Sequence, residues 1–210
     1  MARLGLFPLP LVLLPTERVP LHIFEPRYRE LIGDCVDRDE EFGIVLLQPN
    51  GEIHDVGTRA AVTEVLQVLP DGRMNIIVAG GDRFRLLEVD HEHAYASAAV
   101  EELVDEHDPA APADIERALT AFRSLQQAAG SSASVPDSDS PLLDFELAAR
   151  VEFASDRKQA LLEVTSPRLR MVQVAELLEQ AQEAVAIERD VRRRASSNGR
   201  VSPLAGGGSD

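Results

Sequence analysis

The chain has no tryptophan, only two tyrosines, a single cysteine and, among 21 basic side chains, a single lysine. Each scarcity excludes something. A lone Cys35 rules out an internal disulfide and fits a reducing, cytoplasmic setting. Its helical spacing from Tyr28 and Leu31 marks it as a small core residue rather than a nucleophile. No apolar run approaches the roughly 20 residues that cross a bilayer, and Pro8, Pro10 and Pro15 interrupt the apolar N-terminus, so no signal peptide is expected. No glycine-rich loop ends in Gly-Lys-Ser/Thr, so no nucleotide-phosphate cradle is expected. Base is scarce as well: 36 acidic residues give a net charge of −15. That charge argues against nucleic acid, whose affinity rests on cations neutralising phosphates. A cationic or neutral, exposed protein segment is the better-matched partner.

What is present is well patterned. Val19, Leu21 and Ile23 alternate with Pro20, His22 and Phe24 as a strand does. Pro20 confines that strand to an edge or to its start. Pro26 is pre-set for a first helical turn and places Glu25 at the helix entrance. Tyr28, Leu31, Ile32, Cys35 and Val36 then fall on one helical face. Glu25 with Arg29, and Asp34 with Arg38, have the spacing of supporting ion pairs.

Around this unit the apolar pieces 4–7 and 11–14 suit short strands or an extended wall of a barrel, and the sequence predicts a strand at 42–47 and a longer one over 57–69. Pro70-Asp71-Gly72 closes a hairpin onto 74–79. Gly80-Gly81-Asp82 permits a bulge before 83–87, and a last strand falls near 94–104. Consecutive antiparallel strands with short turns suggest a small barrel or sandwich. After an acidic connector at 105–112 the period becomes helical. Ile115, Leu119, Phe122 and Leu125 mark one helix, and residues from Leu142 through Phe153 a second. Ala160, Leu161 and Leu162 belong to a third, and Ser166-Pro167 opens a long fourth carrying Met171, Val174, Leu178, Ala181 and Val185. The expected fold class is α+β: a small antiparallel β pseudo-barrel over 1–104, an α-helical bundle over 113–192 and a disordered tail over 193–210.

Three stretches carry a family resemblance. Leu6-Phe7-Pro8-Leu9-Pro10 with Val12-Leu13-Leu14-Pro15 and Pro20-Leu21-His22-Ile23-Phe24-Glu25-Pro26-Arg27-Tyr28 form the first. Gly57-Thr58 through Pro70-Asp71-Gly72-Arg73 to Arg83-Phe84-Arg85 form the second, and Asp156 to Leu162 with the long helix after it the third. Together they resemble the N-terminal, substrate-binding domain of the ATP-dependent Lon protease family. The resemblance implies a PUA-like pseudo-barrel followed by helices, and a standalone, non-catalytic module that binds unfolded or exposed protein segments. A separate protease is a further implied partner. The alternative is a PUA-like binder of a small molecule or RNA.

Candidate chemistry is sparse. A serine–lysine dyad would have to use Lys158, whose plain reading is a solvated helix charge. Serines cluster at 131–140 and in the tail, away from any strand-turn-helix elbow, so no nucleophilic hydrolase and no enzyme is expected. His91 and His93 share one strand face beside Glu92, and Glu101, Glu102, Asp105, Glu106, His107 and Asp108 follow. Lacking ligand spacing, these read as a solvated acidic strand end rather than a zinc site. His22 reads as a core or hydrogen-bonded structural residue rather than a base. No metal or cofactor is expected. The candidate peptide-binding residues are Arg27 and Tyr28 with Arg83 and Phe84, framing one groove.

Overall fold

A computed structural model describes residues 3–90 and 94–198, with side-chain surroundings to residue 192. Six strands come first: β1 (Leu4–Leu9), β2 (Arg18–Ile23), β3 (Phe42–Leu47), β4 (Ile53–Val68), β5 (Met74–Asp90) and β6 (Ser97–Glu102). Helix α1 (Pro26–Arg38) interrupts them after β2. Then follow α2 (Pro112–Ala129), α3 (Leu143–Ala148), α4 (Ser155–Glu163) and α5 (Pro167–Asn198). The class is α+β, as expected.

The strands pair in the order β2-β5-β4-β3-β1-β6, and β6 pairs back onto β5. Five strands therefore close a ring, while β2 lies outside it on the first half of β5. Most pairings are antiparallel, but β1 and β3 run parallel, Leu6 opposite Gly43 to Leu9 opposite Leu46. The expectation of antiparallel neighbours fails at that pair because β2 and α1 intervene, and a crossover of that length can return the chain in the same direction. The predicted glycine bulge is present: Ala60 faces Gly80 but Thr58 faces Arg83, one extra residue on β5.

Local signals set the first half. Glu25 is extended (φ −69°, ψ 133°) and Pro26 opens α1. Because Glu25 precedes the helix, its carboxylate pairs with Arg27 at 2.8 Å rather than with Arg29. Arg29 instead donates to the Asp71 carbonyl. The Asp34–Arg38 pair forms at 3.8 Å. Tyr28, Leu31, Ile32 and Cys35 bury against Ile23, Ile44, Ile76 and Val78.

Of the two readings of 11–14, the strand is not formed and the wall is what remains: the stretch is buried between the two cores. Pro10 and Pro15 remove ladder donors on either side, and side chains take up the polar groups instead. Thr58 Oγ1 donates to the Leu13 carbonyl at 2.6 Å, and Glu17 Oε2 accepts from Leu14 N at 2.9 Å. Gly80 is required beside it, since a Cβ there would lie 2.1 Å from the Leu14 carbonyl oxygen. Lys158, expected in solvent, is largely buried and pairs with Glu17 at 2.5 Å. The only lysine thus ties α4 to the barrel.

The helices pack a core of Leu119, Phe122, Phe145, Leu147, Leu161, Leu162, Val174 and Leu178 that continues onto Val12, Leu14 and Val56 of the β half. Helix α3 stops at Ala148, so Val151 and Phe153, expected within it, turn back onto the core as irregular chain. Helix α5 opens as predicted, with Leu169 N bonded to Ser166 Oγ at 3.1 Å. It continues to Asn198, past the expected start of the tail, and residues 199–210 lie outside those described.

A buried charge cluster joins the halves. Arg83 of β5 donates to the Leu162 and Val164 carbonyls at 2.7 and 2.8 Å, satisfying the exposed end of α4. It also pairs with Asp105. Arg170 of α5, with no exposed surface, reaches Asp105 at 2.6 Å and Asp144 at 2.8 Å. Both guanidinium carbons lie near the Phe145 ring, 4.1 Å for Arg170 and 5.3 Å for Arg83. Burial pushes the Asp105 carboxyl up, but the hydrogen bonds and charge of Arg170, then those of Arg83, hold it below the usual range. Asp144 is pushed up by its deeper burial, against the pull of Arg170 and the Phe145 N–H.

Arg170→Met leaves Asp144 buried without its cation, and is expected to cost about 3–5 kcal/mol in urea unfolding. Arg83 and Asp105 still balance each other, so adding Asp144→Leu is expected to restore much of that loss. A double variant no more stable than the single one would show that charge pairing is not what this contact supplies. Cys35 gives a second test. Burial, then Glu40 and Asp34, push its thiol up to about 11. Reaction with an aromatic disulfide reagent is expected to be on the order of a hundredfold slower in the folded than in the unfolded chain; equal rates would contradict this burial.

Candidate functional site

Two facts about β1 create an open cleft on the barrel. Leu4 faces Ala98 and Gly5 faces Ser97, and Leu6 N donates to the Ala96 carbonyl at 2.8 Å. Along an antiparallel edge the donors recur at every second residue. The next would be residue 8, and Pro8 has no N–H. The β1–β6 seam therefore stops while β1 continues along β3 as far as Leu9.

The parted seam is a cleft of about 850 Å3. Pro8 forms one wall, and Arg27 and Tyr28 from the first turn of α1 another. The chain from Leu47 to Ile53, where β3 turns into β4, and the chain around Val89 and Ala94 to Ala96 close the remaining sides. Asn50-Gly51 makes the turn the sequence predicted, with Gly51 at φ +87°. Both tyrosines of the protein, Tyr28 and Tyr95, line this one cleft.

The aromatic wall is fixed from behind. The Tyr28 ring sits 4.1 Å from that of Phe7, and the Arg27 guanidinium lies 4.5 Å above it. Burial raises the Tyr28 phenol, with Arg27 opposing and Glu25 reinforcing. Burial likewise raises Tyr95, followed by the charge of Asp34. Both hydroxyls therefore stay protonated at neutral pH and can donate as well as accept. The rim is polar but internally paired: Arg27 with Glu25, Gln48 with His54 at 3.0 Å, and Asn50 with Glu52 at 2.8 Å. Among the described residues lining it there is no serine, cysteine, histidine or lysine. Such a lining can bury an apolar or aromatic group and hydrogen-bond its neighbours.

Of the four residues placed in one groove by sequence, Arg27 and Tyr28 line this cleft. Arg83 and Phe84 do not join them. Arg83 is committed to the charge cluster, and Phe84 is wholly buried inside the barrel. Its ring tip fills the space where Cβ atoms on Gly43 and Gly57 would sit, each 2.7 Å away. Strand alternation alone could not tell an outward arginine from one turned toward a helical layer. Tyr95 went unseen because no local pattern surrounds it. The signal available was its rarity together with Pro8, but that Pro8 lies across the parted seam from the chain at 94–96 is a long-range fact.

His22 is hydrogen-bonded, Nδ1 to Asn75 Oδ1 at 2.6 Å, yet exposed and stacked on Phe24 at 5.9 Å between ring centres. His91, Glu92 and His93 lie outside the described residues. Elsewhere, among the described residues, no three His, Cys, Asp or Glu side chains gather as metal ligands would.

Comparison with known proteins gives the family of the fold. The sequence model of the ATP-dependent protease La (LON) substrate-binding domain matches residues 3–180. A Lon protease of Flavobacterium johnsoniae is 24% identical over 202 residues, covering 87% of this chain and 24% of that protein. One of Solibacter usitatus is 29% identical over 156 residues, covering 70% of this chain and 19% of its own. The chain thus spans about a quarter or less of these curated relatives. A crystal structure of a Lon N-terminal domain protein from Xanthomonas campestris superposes with a TM-score of 0.65 at 26% identity, covering 83% of this chain and 97% of that one. The N-terminal domain of a Mycobacterium avium complex Lon protease shares the fold, with a TM-score of 0.65 at 16% identity over 87% of this chain and 98% of its own. With its ring of strands, its helical layer and a family match over most of its length, the chain belongs to the Lon substrate-binding domain family.

Proposed function

We propose that this chain captures exposed segments of other polypeptides and breaks no bond itself, with the parted β1–β6 seam receiving an apolar or aromatic side chain of the captured segment. One observation carries the reading: in a family described by substrate binding, the chain's only two tyrosines converge on one open cleft. A volume of about 850 Å3 accommodates a large side chain with its flanking peptide groups. The partners are unfolded or locally exposed protein segments, and a separate protease is a natural recipient of what is held. Nucleic acid is disfavoured by the net charge of −15. No helix among the described residues is long and apolar enough to cross a membrane. The single thiol, held buried, suits the cytoplasm.

The test is binding of a permanently unfolded, reduced and carboxymethylated model protein, followed by fluorescence anisotropy and by amide NMR shifts. Shift changes are expected at the Leu47–Ile53 turn and around Tyr95. Tyr95→Ala is expected to weaken capture by about tenfold or more, as truncation of a buried aromatic anchor does, with an unchanged circular dichroism spectrum. Undiminished capture by that variant, or turnover of ATP or peptide by the purified chain, would overturn the reading.

A further inference from the structure

A second surface of the barrel has different chemistry. Beyond Ala60, the last residue of β4 facing β3, the strand continues to Val68 paired only with β5. Its other edge is open among the described residues. Val65, Leu66 and Val68 along it are 44, 56 and 62% exposed, so an unpaired backbone edge coincides with an exposed apolar run. The other free edge of this arm, on β2, has Pro20 at its middle and lacks a donor there.

Beside the open edge of β4 runs a groove of about 150 Å3 between the strand and the last turn of α1. Val36, Val62 and Val65 contribute apolar surface to it. Its rim is acidic: Asp39, Glu40 and Glu41 from the α1–β3 connection, and Glu64 from β4. Helix α1 also ends here, at Asp39 in the left-handed conformation (φ 54°), so the negative end of its macrodipole reinforces the carboxylates. Arg18 neutralises Glu64 at 2.6 Å and Arg59 lies 3.6 Å from Glu41. No basic side chain lines the groove itself.

We infer that the open edge of β4, over Ala61–Val68, accepts an extended cationic–apolar polypeptide segment as an added strand, its apolar side chains on Val36, Val62 and Val65 and its lysines or arginines toward the acidic rim. Strand addition supplies affinity through main-chain hydrogen bonds, and the pockets for alternate side chains supply selectivity. The same rim disfavours a second copy of this chain, because two β4 edges side by side would juxtapose their carboxylates. The inference shares with the proposed function only the premise that the chain binds polypeptide, and it uses none of the seam residues.

The experiment uses the full chain and three capped synthetic peptides: one alternating Val with Lys, the same with Glu for Lys, and the Lys peptide with alternate amides N-methylated. The Lys peptide is expected to bind more tightly at low salt and to slow hydrogen exchange in Ala61–Val68. The Glu peptide is expected to bind at least about tenfold more weakly, and the methylated peptide not measurably, since an added strand must donate its own N–H groups. E40K/E41K is expected to cut affinity for the Lys peptide by about tenfold and raise that for the Glu peptide. Tyr95→Ala is expected to leave the Lys peptide's protection of Ala61–Val68 unchanged, so the two surfaces stand or fall separately. Equal binding of all three peptides, protection confined to another segment, or protection of 61–68 that grows with protein concentration alone would overturn the inference.

Discussion

The arrangement of the two halves depends on one buried set of charges. Arg170 has lost all of its exposed surface, and desolvating a guanidinium so fully is tolerable only if each direction of its fork meets an acceptor. Asp105, Asp144 and the Val164 carbonyl are those acceptors. They come from the β6–α2 connection, from α3 and from the end of α4, so no neighbouring segment could supply them alone. Arg83 reaches in from the barrel to share Asp105 and Val164. Two cations and two anions around one aromatic ring leave little freedom in how the helices sit on the sheet. The specificity of that geometry, more than its net stability, is what such a cluster provides.

Strand β5 transmits this constraint. Its first half forms the three-stranded arm with β2 and the outer part of β4, and its second half closes the ring with β6. Between them lie the bulge and Arg83. Gly80 allows the 11–17 segment to pass at a distance no side chain would permit, and one extra residue then turns Arg83 toward the helices. Proline acts in the opposite sense at Pro8. There a missing donor ends a ladder that the ring would otherwise complete, and the cleft is what remains.

Much of this was legible where the cause is local. Pro20, Glu25 and Pro26 declared the strand-to-helix passage, Asn50-Gly51 and Asp71-Gly72 the turns, and Ser166-Pro167 the start of α5. The illegible parts are those whose partners are distant. Lys158 resembles any helix-surface cation until Glu17, 141 residues away, is placed beside it. The 11–14 run has the composition of a strand, and only the neighbouring prolines with Thr58 and Gly80 explain why it pairs with side chains instead. Arg83 and Phe84 look like a groove wall because strand period assigns faces without saying what covers them. Tyr28 was visible in a motif, whereas Tyr95 needed the seam's register to acquire meaning.

The two proposed recognition surfaces follow from the same economy of residue types. A chain with few aromatics places both tyrosines at the one barrel seam that proline keeps open, and there the local charge is nearly balanced by Arg27 with Glu25. On the arm, β3 is too short to cover β4, so backbone groups are left unpaired, and the acidic α1–β3 connection gives that edge a sign. A segment rich in apolar and basic residues, of the kind normally hidden inside a folded protein or a cationic assembly, would be attracted by the overall charge before contact. It would then be sorted by whether it can extend. Among the described residues neither surface draws on the helical layer, whose Arg170, Asp144 and Lys158 are engaged in holding the barrel in place. Recognition of other polypeptides is therefore the role we propose for this distribution of residues.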